Sequence, residues 1–77
     1  MAERFWENLS LILAEKNMTW ITLTRKMFAG EFRYPSELNR LYQKIRHYKK
    51  ERRMPQAHWV ERIVEVLDLD YEDLFRR

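Results

Sequence analysis

One glycine, Gly30, and two prolines, Pro35 and Pro55, are the only backbone breakers in a chain of 77 residues. This scarcity restricts the fold more than any other feature. Tight reversals draw on glycine and proline, so a chain nearly free of both runs in long segments with few turns. Its apolar residues recur three and four positions apart, the period of a helix face. The expectation is an all-α fold: one domain, residues 1–77, built as a compact bundle of about five helices.

Length also limits what holds such a domain together. A core of this size supplies on the order of 3–5 kcal/mol. There is no cysteine, so neither a disulfide nor a thiolate-bound metal adds to it. Packed side chains must suffice. With 45% hydrophobic and 14% aromatic residues, the chain is too apolar for disorder. The uncharged stretch Asn8 to Ala14 is too short to cross a bilayer. It also lacks the basic flank and cleavage site of a secretion signal. A soluble cytoplasmic protein with no membrane partner is expected.

Periodicity places the elements. Phe5, Leu9, Ile12 and Leu13 share one face of a first helix from about Ala2 to Lys16. Asn17 suits the left-handed residue that ends it. Thr19 is a fitting N-cap for a second helix, Trp20 to Phe28, with Leu23 and Met27 inward. Ala29 to Pro35 reads as a loop. A third helix, Ser36 to Lys50, carries Leu38, Leu41, Tyr42, Ile45 and Tyr48 on one face and Asn39, Arg40, Gln43, His47 and Lys50 opposite. Pro55 suits the first turn of a fourth helix, striped by Trp59, Val60, Ile63, Val64 and Leu67. Asp70 and Asp73 form an imperfect capping box for a short final helix, with Leu74 and Phe75 closing the core.

Charge is unevenly spread. Met1–Thr24 has two basic and three acidic residues, net −1; Arg25–Arg53 has ten and three, net +7; Met54–Arg77 has three and six, net −3. A basic middle third between acidic flanks suggests one surface for a polyanion, although a solvated helix face has the same composition.

The order of these features resembles the lambda-repressor-like helix-turn-helix family, also called XRE. Pro55 to Phe75 reads PQAHWVERIVEVLDLDYEDLF. It is similar to the family's proline, its helix ending in an Ile-Ala-x-x-Leu-like run, and its small closing helix. Ile63, Val64 and Leu67 stand in the run, Leu69 in the turn, and Leu74 and Phe75 in the closing pair. At the other end, Met18, Thr19 and Leu23 fill the junction and the leucine of the family's second helix. Ile45 and Tyr48 fall on the two buried positions of its recognition helix. Lys49 replaces a frequent glutamate and Glu51 a frequent glycine. Trp20 and Ile21 stand at usually polar positions, and Thr24 replaces a small alanine. Leu23 to Ile45 spans 22 residues, about twice the usual interval. Phe28 to about Asn39 therefore counts as an insertion: a longer loop, an extension of the third helix, or both.

The resemblance implies double-stranded DNA binding by a small transcriptional regulator, associated with the nucleoid when bound. A major groove admits one helix, and its base edges offer donors and acceptors that glutamine, arginine and lysine can pair with. On that basis Arg40, Gln43, Lys44 and His47 are expected to face bases. Arg25, Lys26, Arg33, Arg46, Lys49, Lys50, Arg52 and Arg53 are expected to reach phosphate, which fixes register without reading sequence. A homodimer on two half-sites is a possible form.

The alternative is a protein-interaction module, motivated by Trp20, Ile21, Phe32 and Tyr34. If these form one exposed patch over the basic face, a protein partner is favoured; a clean basic face favours DNA. Phe32 and Tyr34 flank Arg33, and their segment could stack on bases, pack over the core or form a dimer surface. Catalysis is not expected. His47 and His58 stand apart, one glycine cannot cradle a phosphate, and Asp68, Asp70, Glu72 and Asp73 lack the glycine and distal glutamate of a calcium loop. No metal or cofactor is implied.

Overall fold

The computed structural model describes residues 2–76, with side chains from residue 4 onward. Four α-helices follow one another: α1 (Ala2–Glu15), α2 (Trp20–Met27), α3 (Pro35–Lys50) and α4 (Ala57–Leu67). A single 3₁₀ turn, Tyr71–Leu74, comes last. No strand occurs among the described residues, so the chain is all-α.

Two expectations about the end of the chain need correction. The fifth helix is one 3₁₀ turn. Asp73 N–H donates to the Asp70 carbonyl and Phe75 N–H to that of Glu72, a tight winding that brings Leu74 into the core. The Asp73 carboxylate also accepts the Asp70 N–H at 3.0 Å. Pro55 does not enter the first turn of α4. Its ring is buried, and Gln56, in extended backbone, is the N-cap of a helix that starts at Ala57.

Three helices end on left-handed residues that are not glycine. Asn17, Arg52 and Asp68 have φ of 54°, 56° and 53°. At each corner two N–H groups return to the last turn: Met18 to the Leu13 carbonyl and Asn17 to Ala14; Arg53 to Tyr48 and Arg52 to Lys49; Leu69 to Val64 and Asp68 to Glu65. This paired closure satisfies carbonyls that a helix end otherwise leaves bare. The start of α2 is also secured by a side chain. Thr19 Oγ1 accepts the Thr22 N–H at 3.2 Å.

α2 packs against α3 and α4, and α1 against the 3₁₀ turn. Phe5, Leu9, Leu23, Val60 and Leu74 are among the most deeply buried residues. Two polar residues are buried with them, and both are paired. Asn8 Nδ2 donates to the Leu74 carbonyl at 2.9 Å. Thr24 Oγ1 donates to the Trp20 carbonyl at 2.8 Å within its own helix, which lets a hydroxyl stand in the core.

The segment from Phe28 to Asn39 is part loop and part helix. Phe28 to Tyr34 forms the connection, and the first turns of α3 take up the remainder. A turn closes where Glu31 N–H donates to the Phe28 carbonyl at 2.9 Å, with Gly30 at φ 83°. Arg62 of α4 latches it: the guanidinium meets the Glu31 carboxylate at 2.6 Å, donates to the Met27 carbonyl at 3.4 Å and lies over the Phe28 ring. Further on, Glu37 Oε1 accepts both the Arg33 and Tyr34 N–H groups at 3.2 Å, capping α3.

These contacts give two expectations. Asn8→Ala leaves a buried carbonyl without its donor and lowers stability by about 1–3 kcal/mol, read as a lower urea midpoint at unchanged m-value. Arg62→Met unlatches the connection, costs about 1 kcal/mol and speeds amide hydrogen exchange over residues 28–34 while α1 stays protected.

Candidate nucleic-acid interface

α3 has 16 residues, about 24 Å at 1.5 Å per residue. Its inner stripe holds it to the body: Leu38 and Ile45 are buried, and Leu41, Tyr42 and Tyr48 are half-buried. The opposite stripe is wholly exposed, with Ser36, Asn39, Arg40, Gln43, His47 and Lys50. No acidic residue within α3 stands on it; Glu51, just beyond the last turn, places its carboxylate 3.3 Å from His47. The exposed large apolar residues, Leu11, Tyr34, Met54 and Tyr71, all lie outside α3.

The C-terminal end of α3 is fixed by aromatic rings. Tyr48 meets the Trp59 ring edge-on at 5.4 Å, and Arg53 lies over Tyr48 at 5.3 Å. Trp6 reaches across from α1, where its indole Nε1 donates to the Arg53 carbonyl at 2.9 Å. Trp6 is 4% exposed and its ring lies 6.1 Å from that of Trp20. The Lys49 ammonium sits 4.4 Å above the Trp20 ring, a cation held against a π-face.

These contacts leave an open cleft of about 810 Å³ along one flank of α3. Tyr42, Gln43, Arg46, His47, Lys49 and Lys50 line it from α3, and Arg52 from the corner beyond. Trp6, Glu7 and Ser10 of α1 face them, with Trp20 of α2 between. Arginines and lysines outnumber carboxylates by four to one among these residues.

The structure divides the sequence-predicted residues into groups. Gln43 and His47 share the outer face and the cleft rim, and Arg46, Lys49, Lys50 and Arg52 line the cleft. Arg40 is exposed on the same outer face. Lys44 is exposed, but the helical period turns it to the flank away from the cleft. Arg25 and Lys26 are exposed at the end of α2, and Arg33 in the connection; none of them borders the cleft. Arg53 contacts the Glu51 carboxylate at 3.4 Å, and His47 Nε2 lies 3.3 Å from the same carboxylate group.

The expected apolar quartet does not form one exposed patch. Trp20, Ile21 and Phe32 are half-buried, and only Tyr34 is exposed. Trp20 and Phe32 pack against the core; Trp20 borders the cleft, and Phe32 does not. Trp6, Glu7, Ser10, Tyr42 and Ile45 are the cleft residues that sequence reasoning missed. Nothing in the helical pattern distinguishes an indole that caps a distant carbonyl from one lying at a surface.

No protein family model, curated protein or solved structure matches the chain. No helix among the described residues is long and apolar enough to cross a membrane.

Arg52 stands in a left-handed conformation that a Cβ disfavours. Arg52→Gly therefore raises stability by up to about 1 kcal/mol, the conformational gain less the greater freedom of glycine in the unfolded chain and less the surface interaction that the Arg52 side chain gives up. A higher urea midpoint checks this.

Proposed function

We propose that this chain is a sequence-specific double-stranded DNA-binding protein of the lambda-repressor-like helix-turn-helix kind, a small transcriptional regulator with α3 in the major groove. One observation carries the reading. The outward face of α3 is exposed along its length, bears amides and cations with a carboxylate only at its C-terminal end, where Glu51 meets His47, and is free of large apolar side chains. Such a face offers bidentate partners to base edges and charge to phosphates.

Other features support the reading. α2 packs directly on α3, the pairing a helix-turn-helix unit requires. Arg40, Gln43 and His47 point away from the body and are the proposed base readers, with Lys44 at their flank. Arg46, Lys49, Lys50 and Arg52 extend the positive surface toward α1 and α2, where phosphates are the proposed partners. Arg25, Lys26, Arg33 and Arg53 would make outlying contacts. The connection between α2 and α3 is longer than the 3–4 residues usual for the motif, so the approach of α3 to the groove is expected to differ from the tight form.

Fluorescence anisotropy with a labelled random-sequence duplex across a salt series tests the proposal. Binding is expected in the micromolar range, weakening with salt by about 0.9 log–log units per phosphate neutralised. Replacing Arg40, Gln43, Lys44 and His47 together by alanine, with helicity kept by circular dichroism, weakens binding at least tenfold. Arg52→Gly lowers the salt slope by about one unit even as it stabilises the fold. No binding at low salt removes the DNA reading.

A further inference from the structure

We propose that the cleft beside α3 seats an unpaired nucleotide of a DNA strand, its base stacked on Trp20 and its phosphates held by Arg46, Lys50 and Arg52. The proposal rests on the DNA-binding reading and adds a preference for strand ends or looped-out bases.

Charge sets the class of occupant. With four arginines and lysines to one carboxylate among its lining residues, the cleft attracts an anion. Its aromatic walls narrow the choice. The backbone of an intact duplex offers phosphate and sugar but no free ring, since its bases are stacked inward. Trp20 and Tyr42 would then be idle against it. An acidic peptide would satisfy the cations, but the side chains that carry its charge have no flat apolar ring to lay on the indole. An unpaired nucleotide carries both the negative charge and the flat apolar surface. Aromatic rings beside a basic track are the combination that binds single strands. The volume, about 810 Å³, falls within the range of small-ligand sites, about 300–1,000 Å³.

The position of Lys49 supplies the mechanism. Its ammonium covers the Trp20 ring at 4.4 Å, on a face that a stacked base would use. Lys49 carries four rotatable carbons. Swinging off the ring, it frees that face and brings its charge to the incoming phosphate. The indole itself need not move. Trp20 lies against Trp6, and Trp6 is tied to the Arg53 carbonyl, so the floor is fixed before the nucleotide arrives. Little ordering cost then falls on binding.

The test compares a blunt duplex with the same duplex bearing a three-nucleotide single-stranded overhang, read by anisotropy, together with Trp fluorescence titration by an eight-residue oligothymidylate. Trp6 and Trp59 are 4% and 6% exposed, so quenching reports chiefly on Trp20. The overhang is expected to tighten binding by about five- to tenfold, the lower part of the range for one stacked base, and the oligothymidylate to quench the fluorescence. Trp20→Leu should abolish the gain while keeping blunt-duplex binding. The titration of the unaltered protein stands by itself if that variant folds poorly. Equal affinity for both duplexes without quenching overturns the seat and leaves DNA binding intact. Failure to bind any duplex, with quenching by oligothymidylate kept, overturns the duplex reading and leaves the seat. Equal binding of octaglutamate overturns it in favour of an acidic peptide. Equal quenching by thymidine monophosphate at the same concentration overturns the assignment to a strand.

Discussion

A hydrogen bond from the Trp6 indole to the Arg53 carbonyl joins residues 47 positions apart, and the geometry of the charged surface depends on it. A buried indole N–H without an acceptor costs about 1–3 kcal/mol, so the ring must lie where that carbonyl lies. This draws the start of α1 to the end of α3 and sets the width of the space between them. Trp20 then rests on Trp6 and Lys49 on Trp20. On the other side of α3, Tyr48 and Phe28 meet Trp59. An aromatic frame thus holds one end of a helix whose outer face is entirely polar.

Much of this was legible in the chain. The helix faces follow from period alone, as Leu38 and Ile45 inside and Arg40, Gln43 and His47 outside illustrate. Local signals also read well: Thr19 caps α2, and Asn17 turns left-handed at the end of α1. What failed was set by distant partners. Trp6 stands off the apolar stripe of the first helix, and its acceptor belongs to another part of the chain. Tyr42 counted only as an inward residue because the cleft it borders exists only once α1 and α2 are in place. Pro55 fits the first turn of a helix by conformation, but burial of its ring put it before the helix instead. The last element could not hold a regular helix, because Leu74 must be delivered to the core within one turn of Asp70.

The corners of the fold show a tension between stability and charge. Each closes by the same two backbone bonds, a geometry that glycine accepts most easily, and the chain uses asparagine, arginine and aspartate there. At Arg52 the conformation is costly and the side chain lines the cleft. The same arrangement leads the next residue, Arg53, back over Tyr48, so a charged side chain takes a place where a hydrophobic contact often completes such a corner.

α3 is gripped at both ends. Leu38 and the Glu37 cap hold its beginning, and Tyr48 and the Trp6–Arg53 bond hold its end. A helix fastened in this way behaves as a beam. Its shape is formed before any partner arrives, so a partner meets a surface already set. For a stiff polyanion the work of adjustment then falls on the partner's own bending, and discrimination can arise at positions no side chain reaches. The rigidity of one helix thereby becomes a gauge of how readily another molecule deforms.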